Sequence, residues 1–217
     1  MRPSILFFGK KGDFYSDRAI EFIEAVFHES LVYSGTRSDP LPSIDESIQF
    51  DYIISYLSPW IIPESLLTRA KRGCINFHPG PPEYPGIGCT NFAIYDESEL
   101  FGVTCHHMLS KVDTGDIIGV RRFQLFPEDS VYSLTQRCYA YILELFYETL
   151  KCIANNEELP KADEHWKRVP YTRSELNALC EITLDMSEDE VKKRVRAVTF
   201  PNAPGAYIEK YGYSFKL

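Results

Sequence analysis

The chain is poor in the patterns that would place it outside ordinary α/β chemistry. Its cysteines stand at 74, 89, 105, 138, 152 and 180, with no CxxC pair and no short metal-ligand spacing. Zinc-ribbon and thioredoxin-like readings therefore fall away, and no metal is expected. Several of these cysteines lie in apolar runs, where a reduced thiol behaves as a small hydrophobe. Positive charge is also scarce: 23 Lys and Arg against 31 Asp and Glu give a net charge of −8. A general nucleic-acid binder would carry a basic surface, so no nucleic-acid partner is expected. No apolar run approaches the roughly 20 residues that span a bilayer, and Arg2-Pro3 is followed by only a short one, so neither a membrane partner nor a secretory leader is expected. A reducing cytoplasm is the expected compartment. GxGxxG is missing after the first strand candidate, which removes the dinucleotide fingerprint, and there are no repeats or low-complexity tracts.

What is present is an ample core. At 217 residues, 44% hydrophobic, with 14 Tyr, 14 Phe and 2 Trp, the chain fits one domain with a small appendage. The expected division is a main domain over 1–180 and an appendage of helix and hairpin over 181–217. Ser4–Phe8, a glycine-lysine turn through Gly12 and a helically spaced run from Asp17 to Phe27 read as strand, turn and helix, the opening of an α/β sheet. Further strands are expected at Leu31–Ser34, Phe50–Leu57, Gly73–Phe77 and Phe101–Met108, with helices at Glu64–Lys71 and Thr90–Glu97. Residues 36–47 and 155–171 are polar and read as loops. Asp129-Ser130 caps the longest helix, Val131–Ile153, whose apolar residues at 131, 134, 138, 142, 145 and 150 keep a helical period. Ser187-Glu188-Asp189-Glu190 is a capping box, and Ala206–Leu217 reads as a hairpin turning at Gly212. The expected fold class is α/β: a twisted, mostly parallel sheet flanked by helices, with a small C-terminal β-hairpin.

The organising stretch runs from Cys74 to Ile118. Asn76 and His78 end a buried strand with side chains on one face, since strand side chains repeat every two residues. Four prolines between 79 and 85 stiffen the loop that follows. Asp113 precedes a glycine turn leading into another apolar strand. An amide, an imidazole and a carboxylate converging on strand-end loops have the parts for moving a proton and steadying an oxyanion. His106 and His107 are strand neighbours pointing to opposite faces, so they do not share an ion; His106 is either a support for the Asp113 loop or a satisfied core histidine. Near the start, the Gly9–Gly12 amides with Lys10 and Lys11 sit where a helix N-terminus receives a phosphate, although a solvated lysine pair satisfies the same residues.

Asn76-Phe77-His78, Tyr84-Pro85-Gly86, Gly102-Val103-Thr104 followed by His106, and Asp113-Thr114-Gly115 resemble the folate-dependent formyltransferase family across roughly residues 50–125. The resemblance implies a Rossmann-like fold and N10-formyltetrahydrofolate as formyl donor. It implies that Asn76, His78 and Asp113 are the catalytic residues, as oxyanion donor, general base and support. It places the pterin against Trp60, Ile61, Ile62, Lys111 and Val112. Methionyl-tRNA members are longer, with a C-terminal RNA-contacting domain for which 217 residues are expected to leave no room. Arg196-Ala197-Val198-Thr199-Phe200-Pro201, Gly205-Ala206-Tyr207 and the Glu83–Ala93 loop are similar to the sugar-nucleotide N-formyltransferases. The implied acceptor is the amine of a nucleotide-linked sugar, dTDP-4-amino-4,6-dideoxyglucose first, for bacterial surface glycans such as O-antigen. Lys10, Tyr84, Arg196 and Tyr207 are its candidate contacts. The alternatives are glycinamide ribonucleotide formylation in purine synthesis, a non-catalytic folate or nucleotide-sugar binding module, and hydrolysis of formyl-folate. A homodimer is left open, as is completion of the substrate pocket by a second subunit.

Overall fold

A computed structural model describes residues 2–217. Strand β1 (Ile5–Lys10) is apolar from Ile5 to Phe8 because both of its faces are covered there. Ile5 and Phe7 enter one core and Leu6 and Phe8 the other, as a central strand of a parallel sheet requires. Around it lie β2 (Ser30–Gly35), β3 (Phe50–Tyr56), β4 (Ala70–His78), β5 (Leu100–His107) and β6 (Ile117–Gln124), in the order β2-β1-β3-β4-β5-β6. β1 pairs in parallel with β2 and β3, and β3 with β4; β4–β5 and β5–β6 are antiparallel. The sequence expectation of a mostly parallel sheet with a hairpin appendage describes this architecture.

Helix α1 (Phe14–Val26) starts earlier than the expected run from Asp17, because Asp13 caps it by accepting from the Tyr15 and Ser16 amides. Helix α2 (Glu64–Leu67) is a single turn. The expected helix to Lys71 fails because Ala70–Arg72 are taken up by β4, where Phe50 pairs with Ala70. Helix α3 (Cys89–Tyr95) begins after Gly88, whose φ of 75° is left-handed. Helix α4 (Val131–Ala154) carries the Ser130 capping box and lies on the sheet by the expected stripe, from Val131 through Cys138 and Ile142 to Leu150. Tyr139, Tyr141 and Tyr147 pack partly buried against this core and Phe146 is wholly inside it. Their excess over a single stripe is therefore core packing.

Helix α5 (Arg173–Cys180) has a full Thr172–Glu175 capping box that sequence reading passed over. In α6 (Glu188–Val198), Ser187 accepts from the Glu190 amide. The Glu190 carboxylate turns instead to Tyr95 and Arg194, so only half of the expected box forms. The hairpin β7 (Tyr207–Lys210) and β8 (Tyr213–Lys216) turns at Tyr211-Gly212, both at positive φ. Among the described residues no helix is long and apolar enough to cross a membrane.

Phe146 sits among Phe7, Tyr56 and Phe77 at ring centroid distances of 6.1, 5.1 and 5.4 Å. It is the packing support beneath the end of β4. Phe146→Ala is expected to lower unfolding free energy by about 3–5 kcal/mol, the usual range for a buried aromatic. Denaturant unfolding measures this, and a loss near zero would mean that the cluster does not hold the sheet to α4.

Candidate active site

The ends of β3 and β4 open into a cavity of about 540 Å³, lined by Ser55, Leu57, Asn76 and His78 from the sheet and by Met108–Asp113 from the loop after β5. Ligands of open α/β sheets collect outside the carboxyl ends of the strands. Two lining residues hold left-handed backbone without being glycine, Leu57 at φ 51° and Asp113 at φ 46°. Such positions cost of order 1–3 kcal/mol and concentrate at functional sites.

The antiparallel register sets Asn76 opposite His106, and their side chains meet, Asn76 Nδ2 to His106 Nε2 at 3.1 Å. Asp113 reaches in between the two histidines. Its Oδ2 lies 3.1 Å from His78 Nδ1 and accepts from the Gly86 amide at 2.7 Å; its Oδ1 lies 3.1 Å from His106 Nε2. Asp113 and His78 are each only 4% exposed, and His106 2%. Burial alone would raise the Asp113 carboxyl, but the attraction of His78, the contact with His106 and the Gly86 amide together hold it well below the usual carboxylate range.

The remaining hydrogen bonds fix the proton pattern. His78 Nε2 donates to the Tyr84 carbonyl at 2.9 Å, so both of its ring nitrogens face acceptors, the arrangement an imidazolium fills. His106 Nδ1 donates to its neighbour's carbonyl, His107 O, at 2.8 Å, which leaves Nε2 between an amide donor and a carboxylate. Unprotonated, that nitrogen accepts from Asn76; protonated, it donates to Asp113. His106 thus supports Asp113 rather than standing as an isolated core histidine. Among the described residues no cluster of His, Cys, Asp or Glu is arranged to hold a metal ion. The thiols of Cys89 and Cys105 are pushed up to about 12 by burial, which makes them packing groups.

Trp60, Ile61, Ile62, Lys111 and Val112 all line the same cavity as the Asn-His-Asp set. Trp60 is seated by Nε1 donating to Asp39 O at 2.9 Å and by an edge contact with Phe8; its ring lies on Gly35, where a Cβ would collide with it. A second cavity of about 370 Å³ shares Arg37, Pro79, Gly88, Cys89 and Tyr139 with the first and extends to Arg173, Asn177 and Tyr207. Neither Arg37 nor Arg173 is ion-paired among the described residues. No local sequence signal distinguished these two arginines from surface charge.

Three candidate acceptor contacts lie elsewhere. Tyr84 is buried, its hydroxyl donating to Asp96 at 3.0 Å and sharing a 2.6 Å hydrogen bond with Ser98; its carbonyl, not its ring, serves the site. Arg196 donates to the Pro127 and Asp129 carbonyls and ties α6 to the start of α4. Lys10 pairs with Asp13 at 3.1 Å and lies over the Tyr139 ring. Because Asp13 already fills the α1 N-terminus, the expected phosphate position there is closed.

A carboxylate-held pair of histidines beside an amide side chain thus lies at the strand ends of an α/β sheet, at a cavity that shares a wall with a second one. Residues 24–150 match the formyl transferase family model, and the chain belongs to that family. A methionyl-tRNA formyltransferase of Staphylococcus epidermidis is 31% identical over 144 residues, covering 64% of this chain and 46% of that protein. The chain thus spans about half the length of the curated relatives it matches. A sugar N-formyltransferase from a Shewanella species superposes with a TM-score of 0.78 at 19% identity, over 99% of this chain and 96% of that one. The N-formyltransferase of Helicobacter canadensis, solved with folinic acid and dTDP-3-aminofucose, gives 0.73 at 17% identity over 98% and 85%. At these identities the likeness to both structures is one of fold.

Because the Asp113 carboxyl is depressed, its stabilising contribution is present above the ordinary carboxylate value near 4 and is lost as pH falls through the lower folded value. Asp113→Asn is therefore expected to be clearly less stable than the native chain at pH 7, with the gap narrowing on acidification below about pH 4. Urea unfolding at several pH values checks this. An equal gap at all pH values would mean that the ionised carboxylate contributes nothing.

Proposed function

We propose that this chain transfers a formyl group from N10-formyltetrahydrofolate to the amine of a nucleotide-linked amino sugar, with dTDP-4-amino-4,6-dideoxyglucose as the first acceptor to test, in the making of surface glycans. The observation that carries this reading is the Asn76–His78–Asp113 array facing a cavity that joins a second one rimmed by unpaired arginines. The apolar wall of Trp60, Ile61 and Ile62, with Lys111 and Val112 opposite, is the proposed seat of the folate, which supplies the formyl group when bound. Arg37 and Arg173 are the proposed partners of the acceptor's diphosphate, and Tyr207 of its base or sugar. On this reading residues 1–180 carry the chemistry and 181–217 close the acceptor cavity.

The residues' roles follow from their geometry. With His106 Nε2–H given to Asp113 Oδ1, the Asn76 amide hydrogens are not taken up by His106, and one of them meets the oxygen of the formyl group as the amine adds to its carbon, a preorganised donor. His78 takes the proton the amine loses, and Asp113 steadies the imidazolium. In the resting site both His78 nitrogens already face acceptors, the pattern that the ring has after this transfer. To act as base the neutral ring keeps Nδ1–H on Asp113 and turns Nε2 from the Tyr84 carbonyl to the incoming amine. The proton then leaves with the departing folate nitrogen as the C–N bond breaks, which restores His78.

Two observations favour a sugar nucleotide over glycinamide ribonucleotide. The α1 N-terminus is occupied by Asp13, and the unpaired cations stand instead around the second cavity. Methionyl-tRNA, the acceptor named for the Staphylococcus relative, is the second reading, supported by that sequence likeness and opposed by the net charge of −8. A second copy of the chain is the proposed partner for the exposed hairpin, where Tyr211, Tyr213 and Phe215 face solvent. Sedimentation should show a dimer that Phe215→Ser weakens; a monomer at all concentrations would exclude it.

Formyl transfer from N10-formyltetrahydrofolate, assayed side by side with dTDP-linked 3- and 4-amino sugars, glycinamide ribonucleotide and methionyl-tRNA, tests the reaction. A formylated sugar nucleotide is expected, with His78→Ala and Asp113→Ala each about 10²–10⁴-fold slower. Arg37→Ala and Arg173→Ala should raise KM for the sugar nucleotide but not for the folate. Product with another acceptor alone would reassign the substrate, near-native turnover in both His78 and Asp113 variants would sink the mechanism, and folate binding without any transfer would favour a binding module.

A further inference from the structure

The segment between α4 and α5 is irregular by secondary structure, yet its burial alternates. From 161 to 170 the even-numbered residues, Ala162, Glu164, Trp166, Arg168 and Pro170, are half-buried, and the odd-numbered ones are exposed. It is an extended strap that lies across the outside of the Asn-His-Asp array. Its fastenings are spread over both loops that carry the array. Ala162 N donates to Ile117 O at 3.0 Å, at the foot of the Asp113 loop; Lys167 N donates to Pro82 O at 2.9 Å and Tyr171 N to Pro85 O at 2.8 Å, both in the proline loop after His78.

At the centre of the strap, Trp166 stands against both histidines. Its ring meets His106 at a centroid distance of 5.1 Å and His78 at 5.9 Å, edge-to-face in each case. Its Nε1 donates to Gly115 O at 2.8 Å. Gly115 is itself clamped, because a Cβ there would collide with the His107 carbonyl. The indole lines neither cavity; it closes the array from behind. Three titratable side chains sharing one ion network interact strongly only while water is kept out, and the Trp166 ring is the group that keeps it out on this side. Asp113 holds left-handed backbone, a conformation that persists only where its surroundings over-determine it. The bond from Trp166 to Gly115, two residues on, is one of those constraints.

We propose that Trp166 is a positioning residue for the proton-handling array: it fixes the Asp113 loop relative to His78 and keeps the two imidazoles and the carboxylate dry. The catalytic half of this inference rests on the formyl-transfer reading; the structural half does not. Trp166→Ala is expected to lower kcat about 10²-fold, the scale of a small misplacement of reacting groups, with KM for folate and for the sugar nucleotide nearly unchanged. Trp166→Phe, which keeps the ring against the histidines and loses only the N–H, should stay within about tenfold of the native rate and covers the case in which the alanine variant does not fold.

A second readout needs no turnover. The chain has 2 Trp, so Trp60→Phe leaves Trp166 as the sole indole emitter. Its emission is expected to report the imidazole packed against it and to change in the Trp60→Phe, His106→Gln double variant. Emission indifferent to the His106 substitution, or freely quenched by acrylamide in the native fold, overturns the inference whatever the enzyme's substrate. Native kcat in both Trp166 variants, or raised KM values with kcat intact, overturns it too. If no acceptor is formylated by the native chain, the function proposed above fails and the emission alone decides this one.

Discussion

A single ionised carboxylate held out of water is the constraint around which the site is built. An unpaired buried charge costs several kcal/mol, and Asp113 is almost wholly enclosed. It is tolerated because each oxygen has its own imidazole and one has a main-chain amide as well. Those partners come from three separate places: His78 from the end of β4, His106 from β5 and Gly86 from the proline loop. Each must be delivered to within about 3 Å of one carboxylate, a demand that the surrounding chain meets with stiffening devices. The prolines hold the His78 loop, left-handed backbone aims Asp113, and the strap carrying Trp166 spans the gap between their loops.

The sheet supplies the rest by changing direction. Had β5 continued parallel to β4, a crossover would have separated their facing residues from any common loop. The antiparallel pairing sets Asn76 directly against His106 and returns the chain at Met108 beside Cys74. The following loop is then short enough to fold Asp113 back over the strand ends. The same reversal leaves the C-terminal ends of β3 and β4 open as the first cavity, while α3, α5 and the start of the hairpin enclose the second. Both cavities therefore meet at Pro79, Gly88 and Cys89, the residues bracketing the stiff loop.

Much of this was legible in the chain itself, for identifiable reasons. The strands of the sheet, the long α4 and the hairpin declare themselves because burial imposes a period, and Asn76, His78 and Asp113 because polar residues interrupt apolar strands at their ends. The boundary of α2 was not legible: Ala70–Arg72 are good helix formers but are claimed by β4, where Ala70 pairs with Phe50 of β3, a tertiary effect. Tyr84 and Arg196 carried the right chemistry for a ligand and spend it on internal partners, Asp96 and Ser98 in one case and two carbonyls of the turn before α4 in the other. The strap hid for the opposite reason. Its alternation is of burial, not of polarity, since the inward residues include Glu164 and Arg168, whose charges are met by Arg122 and Glu175. No hydropathy pattern records an inward face neutralised by ion pairs.

The same logic bears on where an anionic substrate can lie. A helix N-terminus attracts one anion, by its free amides and its dipole, and at α1 that place is taken: Asp13 accepts two of the amides and holds Lys10 as well. A phosphate arriving there would have to displace an intramolecular carboxylate whose effective concentration no free ligand matches, and would then meet that carboxylate's charge at close range. Arg37 and Arg173 impose no such exchange, because among the described residues no carboxylate pairs with either, although acidic residues outnumber basic ones overall. Solvated arginines at the rim of a cavity give up only water when a phosphate binds, and their planar guanidinium groups match it with two hydrogen bonds each. The balance of displaced partners therefore favours the second cavity over the first loop as the place for an anion.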